Sequence, residues 1–217
     1  MKKHLYFVSG MAANSKVFER MIFPTDRFEV HYLEWLIPLS KEETLENYAK
    51  RMCKKIKTPN PILIGVSFGG VLVQEMSKII SHEKVMIISS IKITKELPWR
   101  LRFFRDTKLY KVFYSQVIEL FVNALFLVSG KGGLKRKKLY EKYLTVRNPI
   151  FLNWAVDKLL NWKQETAIEK LVHIHGEYDN VFPIKYIRTC ISISKGTHAM
   201  ILTKASTLQK TILNCLE

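Results

Sequence analysis

Cysteine is scarce in this chain of 217 residues: Cys53, Cys190 and Cys215 are all it has. None is spaced as C-x-x-C and none has a histidine at metal-ligand spacing. A disulfide framework and a cysteine-based zinc site are therefore excluded, and free thiols in a reducing, cytoplasmic compartment are expected. Acidic residues are few as well, 19 Asp and Glu against 35 Lys and Arg, which leaves a formal net charge of +16. Long apolar runs are missing. The longest apolar segment, Val112 to Val128, is interrupted by Ser115, Gln116, Glu119 and Asn123, so an amphipathic helix is expected and no stable membrane insertion. Met1-Lys2-Lys3 followed by Leu5 to Ala13 has the outline of a short signal peptide. Ser9-Gly10 breaks its apolar stretch too early, and a buried first strand is the better reading.

The positive charge is uneven. Arg100, Arg102, Arg105, Lys108 and Lys111 form one cluster, and Lys131, Lys135, Arg136, Lys137, Lys138 and Lys142 form another. No zinc knuckle, RNP-type aromatic pattern or helix-turn-helix signature accompanies them, so no nucleic-acid partner is expected. What remains is a solvated cationic surface, or a field that speeds encounter with an acidic partner.

Glycine is also sparse, with nine residues, yet six of them fall in four short segments. These are Ser9-Gly10-Met11, Gly65-Val66-Ser67-Phe68-Gly69-Gly70, His175-Gly176-Glu177-Tyr178-Asp179 and Gly196-Thr197-His198. Around them, apolar runs alternate with helical patterns. Leu5 to Val8, Phe28 to Leu33, Ile62 to Val66, Lys84 to Ser90, Leu171 to Ile174 and Cys190 to Ile193 read as strands. Helices are expected over Asn14 to Met21, from a Ser40–Glu43 capping box to about Lys57, over Phe68 to Ile80 and over Ala199 to Leu216. Strands that are apolar almost throughout, alternating with helices, imply a mostly parallel central sheet with helices on both faces. Between Ile93 and Glu169 the pattern turns to helices only. The expected division is a core of residues 1–92 and 170–217 and an all-helical cap insertion of residues 93–169.

Ser67 stands in a G-x-S-x-G turn after an apolar strand and before a helix, with Gly65 and Gly69 allowing the sharp bend. Its hydroxyl would emerge at the C-terminal edge of the sheet, where open α/β sheets bind ligands. A serine nucleophile needs a base. His4, His31 and His82 have no motif around them, and the His173/His175 pair lacks a third ligand at metal spacing, so no metal is expected. His198, on the loop between the last strand and the last helix, can reach back to Ser67. The imidazole in turn needs an orienting carboxylate: Asp179 is preferred and Glu177, two residues earlier, competes. The backbone N–H groups of Phe68 and Met11 are the expected oxyanion donors.

These four blocks, extended to Val8 and to Ile174 through Pro183, resemble the signature segments of the α/β-hydrolase superfamily over the whole chain. The resemblance implies Ser67 as nucleophile, His198 as base, Asp179 as acid, and no metal or organic cofactor. The chain departs from many members in one place: Ser9 stands before the oxyanion-loop glycine where a His is common, which bears on the setting of Met11. The expected function is hydrolysis of a small carboxylic ester or thioester through an acyl-enzyme, with apolar cap segments Leu101 to Phe104 and Phe121 to Val128 available to an acyl chain. The cationic clusters also make the chain similar to esterases of acyl-carrier-protein substrates, such as pimeloyl-carrier methyl ester esterases, whose partner is acidic. A non-catalytic binding module on the same scaffold is the rival from another class. A dehalogenase is disfavoured, since that chemistry calls for a carboxylate where Ser67 stands.

Overall fold

The computed structural model describes residues 2–112 and 141–217. Six strands, β1 (Lys3–Val8), β2 (Phe28–Leu33), β3 (Ile62–Val66), β4 (Lys84–Ile88), β5 (Val172–Gly176) and β6 (Ile191–Ile193), form one sheet in the order β2-β1-β3-β4-β5-β6. Every neighbouring pair is parallel. β3 and β4 are buried almost along their length, as strands covered on both faces must be.

Alternation sends successive residues of each strand to opposite faces. Tyr6, Val8, Leu63, Val85 and Ile87 meet α1 (Leu45–Cys53) and α2 (Phe68–Ser77) on one side. Leu5, Phe7, Ile62, Ile64, Met86 and Ile88 meet the closing helices on the other. Both core layers are made of side chains with little or no solvent contact.

Between β4 and β5, the described residues hold α3 (Trp99–Asp106), α4 (Pro149–Asn161) and short 3-10 turns, and no strand. α4 begins at an Asn148 cap followed by Pro149 and buries Phe151, Trp154, Ala155, Val156, Leu159 and Leu160. Trp154 stacks at 4.4 Å on Tyr48 of α1 and donates its indole N–H to the Glu43 carbonyl (2.8 Å). The expectations for Phe121 to Val128, for the charges from Lys131 to Lys138 and for most of the Val112 to Val128 segment lie outside the described residues.

Three sequence expectations shift. Ser40 and Glu43 form a turn and not the helix start: the Ser40 hydroxyl accepts the Glu42 N–H, while the Glu43 carboxylate takes Leu39 N–H and Arg51. The cap is Thr44, whose hydroxyl accepts the Asn47 N–H at 3.1 Å. Asn14 to Met21 contains only a 3-10 turn, Ser15–Phe18, capped by Asn14. The closing helix is divided at Lys204 into α5 (Met200–Thr203) and α6 (Ala205–Leu216).

β2 and β3 lie on opposite sides of β1, so the winding of the sheet reverses between β1 and β3. Loops leaving two such strands diverge and leave a crevice at their C-terminal ends. Ser9-Gly10 follows β1 and Ser67 follows β3, so both loops border this crevice.

Candidate active site

Ser67 occupies a backbone conformation with φ 53° and ψ −119°, a strained region for a residue with a Cβ. Neighbouring groups hold it there. Its N–H donates to the Ile88 carbonyl (2.9 Å), and its own carbonyl accepts the Gly70 N–H (2.9 Å) and the Ser90 hydroxyl (2.7 Å). Gly65 and Gly69 are needed for close approach: a Cβ on Gly65 would sit 2.2 Å from the Gly69 carbonyl oxygen, and one on Gly69 would sit 2.3 Å from that of Ser9. The turn therefore aims the hydroxyl out of the sheet edge at the cost of admitting no side chain on either flank.

The Ser67 hydroxyl lies 3.0 Å from Nε2 of His198. Nδ1 of His198 lies 2.9 Å and 3.1 Å from the two carboxylate oxygens of Asp179. Residues 112 positions apart in sequence and more thus meet in one line. Two loops bring the histidine and the carboxylate together. The turn after β5 and the loop after β6 touch at Gly176 and Gly196, where a Cβ on Gly176 would lie 2.4 Å from the Gly196 carbonyl oxygen. The Tyr178 N–H donates to that same carbonyl at 2.7 Å.

Asp179 is buried, and its Oδ1 also accepts the N–H groups of Val181 (2.9 Å) and Phe182 (2.8 Å). Burial works to raise its pKa, but His198 beside it, His175 and the Phe182 N–H prevail and hold the carboxyl below its ordinary value of 3.8. Glu177, the competing carboxylate, is exposed and turned to the Lys195 N–H (3.0 Å).

Among the described residues no third ligand joins His173 and His175. His175 Nε2 is 2.8 Å from the Phe182 carbonyl and 3.6 Å from Asp179, and its Nδ1 meets Nε2 of His173 at 3.1 Å. Burial lowers both imidazoles, His173 to about 2. The His175 imidazole, with Nε2 held at the Phe182 carbonyl, sits behind Asp179. His175 was visible in the sequence as half of an H-x-H motif, but its place beside Asp179 was not.

The loop after β1 packs directly on the turn: a Cβ on Gly10 would be in van der Waals contact with the Ser67 Cβ, at 3.5 Å. Ala12 adopts φ 66°, and the Ser9 hydroxyl closes the loop onto the Ala13 carbonyl at 2.8 Å. Sequence reasoning missed Trp35. Its indole N–H reaches both the Ser9 hydroxyl and the Gly10 carbonyl at 3.2 Å, while its ring stacks on Phe68 at 5.4 Å. Trp35 thus braces the two loops that carry the Met11 and Phe68 N–H groups. The Val146 N–H donates to Ala12 and the Tyr143 carbonyl accepts the Asn14 N–H, both at 3.1 Å, so the chain returning toward α4 is tied to the same loop.

A pocket opens at Ser67 and His198, walled by Met11, Val17, Leu144 and Ile201. Its described part is about 50 Å³ and almost wholly apolar. The components at its rim are a hydroxyl, an imidazole with its carboxylate, and the N–H of the first residue of α2, which has no partner one turn earlier in the helix. Such a set suits acyl transfer.

No family profile matches the chain, and no curated protein sequence does. Solved structures do. The chain is similar to a hydrolase from Pseudomonas aeruginosa, at 13% identity and TM-score 0.71, covering 99% of this chain and 90% of that one. It is similar to MenH from S. aureus at 19% identity and TM-score 0.68, over 99% and 93% of the two chains. A thermophilic esterase from Thermogutta terrifontis matches at 14% identity and TM-score 0.66, over 100% and 90%. Identities this low speak to the backbone and not to the reaction. The chain has the α/β-hydrolase fold.

Proposed function

We propose that this protein is a serine hydrolase that cleaves a small carboxylic ester or thioester through an acyl-enzyme on Ser67. The observation that carries the reading is the line from the Ser67 hydroxyl to His198 (3.0 Å) and on to Asp179 (2.9 Å), behind a serine held at φ 53°. Ionised Asp179 can only accept, so it selects the tautomer with the proton on Nδ1 and leaves the Nε2 lone pair facing the serine. His198 takes the Ser67 proton as the hydroxyl oxygen attacks the carbonyl carbon. The resulting oxyanion is received by the N–H groups of Phe68 and Met11, each worth about 3 kcal/mol of barrier. His198 then passes its proton to the departing alcohol or thiol. Water, deprotonated by the same imidazole, releases the acid and restores Ser67. The apolar walls at Met11, Val17 and Leu144 favour a short acyl group beside Ser67. We assign residues 93–169 to a helical cap insertion on the core, and the proposed hydrolysis calls on no metal or organic cofactor. Among the described residues no helix is long and apolar enough to cross a membrane, and we assign the protein to the cytoplasm.

The test is covalent. A fluorophosphonate probe should add once to the folded protein at Ser67, and Ser67→Ala should abolish both labelling and p-nitrophenyl ester turnover while keeping the circular dichroism spectrum. A folded, unlabelled wild-type protein with no turnover would replace this reading with a non-catalytic binding module.

A second reading, an acyl-carrier-protein substrate, has its own support. A groove of about 260 Å³ runs between Trp99, Arg100, Asn180, Val181 and Lys185. It adjoins Asp179 in sequence and presents exposed Trp99 with the Arg100 guanidinium 5.8 Å over its ring. Cations around an exposed aromatic suit an acidic protein surface. Turnover of a carrier-linked acyl ester should then fall steeply with added NaCl while turnover of a free ester does not; equal salt responses would remove the carrier.

A further inference from the structure

The rim of the sheet opposite Ser67 holds a second group of chemically able side chains. β1 and β2 run side by side with His4 opposite Glu29 and Tyr6 opposite His31. Alternation puts His4, Glu29 and His31 on one face of the sheet. Nδ1 of His4 lies 3.1 Å from Nε2 of His31, Glu29 Oε2 lies 3.7 Å from the former and Glu29 Oε1 lies 3.5 Å from the latter, and one ligand atom from each residue falls within 4.8 Å of the other two. We propose that His4, Glu29 and His31 form a three-ligand binding site for a divalent late transition-metal ion, with Zn²⁺ as its simplest occupant.

The spacing argues for a shared ion. Tetrahedral zinc with bonds of about 2.0–2.1 Å to nitrogen sets its ligand atoms about 3.3 Å apart. The His4–His31 separation of 3.1 Å is close to that value, and each imidazole nitrogen has one Glu29 oxygen at 3.5 or 3.7 Å. A single hydrogen bond between two neutral imidazoles accounts for the shortest edge alone; it leaves the carboxylate facing both nitrogens without a donor within hydrogen-bond reach of either contact. Two imidazoles and one carboxylate are a donor set that zinc accepts, with the fourth position left to water.

The rings are also oriented before any ion arrives. Tyr6 stacks on His31 at 4.4 Å with planes 15° apart, and His31 overlaps His4 at 5.3 Å. The Tyr6 hydroxyl is in turn held by Thr58 (3.1 Å) and the Lys57 N–H (3.3 Å). Glu29 is exposed, so its carboxylate can swing the few tenths of an ångström that coordination asks. The site joins edge strand β2 to β1, so its ion would fasten the one long strand of the sheet that has a single neighbour. It lies at the N-terminal end of β1, a strand's length from the loop that packs on Ser67, and takes no part in the proposed hydrolysis.

The test uses the full chain without a histidine tag, titrated with zinc chloride against a chromogenic chelator. One equivalent should bind, and a hundredfold excess over Kd should raise Tm by about 5–10 °C. His31→Ala and His4→Ala should each weaken binding by about 100-fold or more, with the Tm of the zinc-free protein and its ester turnover left near those of the wild type. X-ray absorption at the zinc edge should report two imidazoles and light-atom ligands. Wild-type protein that takes up no zinc at about 0.1 mM, zinc held by sulfur, or histidine variants that bind as the wild type does would each overturn the site.

Discussion

The two ends of this sheet use histidine in opposite ways. Where β3 and β5 end, His173, His175 and His198 are all buried and each is fixed by at least one short polar contact. Where β1 and β2 begin, His4 and His31 are half-exposed and lie against an exposed carboxylate. At the first end the partners come from strand β5 and the loops after β5 and β6, so the imidazoles there serve the arrangement of the chain itself. At the second, two rings and a carboxylate lie within 3.1–3.7 Å of one another on the edge of the sheet. Burial, and not residue type, separates the two sets of histidines.

The sharpest way to break the comparison is to change the acceptor behind His198. Asp179→Asn should lower kcat for p-nitrophenyl ester hydrolysis by about 10⁴-fold, because an amide no longer selects the Nδ1–H tautomer. Glu177→Gln should change it little, since that carboxylate is turned to the Lys195 N–H. Equal losses, or the reverse ranking, would mean that the buried rim is not organised around Asp179. His31→Ala, at the other end of the sheet, serves as the comparison variant and should leave hydrolysis untouched.

What could be read in advance follows from how local each constraint is. The Ser67 turn was legible because Gly65 and Gly69 must yield to backbone atoms within a few residues, a demand written in the sequence itself. Strands β2 and β3 were legible to the residue because one apolar-rich run is bounded by Arg27 and Glu34 and the other begins after Pro61 and ends at the Ser67 turn. His198 and Asp179 could be grouped with Ser67 only through the known order of such segments along a chain of this kind. Their meeting depends on β5 and β6 lying beside β4. The contacts of Trp35, Ser90 and His175 were not legible: each acts through a neighbour that strand order, and no local spacing, delivers. The Ser40–Glu43 misreading has a different source. A capping box and an isolated turn share a sequence, and only Arg51, reaching back to Glu43 from the helix, decides between them.

The buried end can also be probed where it contributes to stability. His173, lowered by burial to about 2, stays neutral in the folded chain at every pH where the unfolded chain, near 6.5, is taking up a proton. Below pH 6.5 the unfolded state therefore binds more protons, and stability falls as pH falls. The slope from this one residue is about 1.4 kcal/mol per pH unit. His175, lowered too, adds with the same sign. Asp179 works in a separate window: its carboxyl is held below 3.8, so its contribution is present above that value and is lost only as pH drops through the lower folded one. Urea midpoints between pH 6.5 and 4.5 should then report the histidines and not the carboxylate. His173→Gln, which keeps a polar partner for His175, should flatten the slope by about one proton's worth. An unchanged slope would show that acid reaches residue 173 in the folded state, and the contrast between a sealed rim and an open one would lose its foundation.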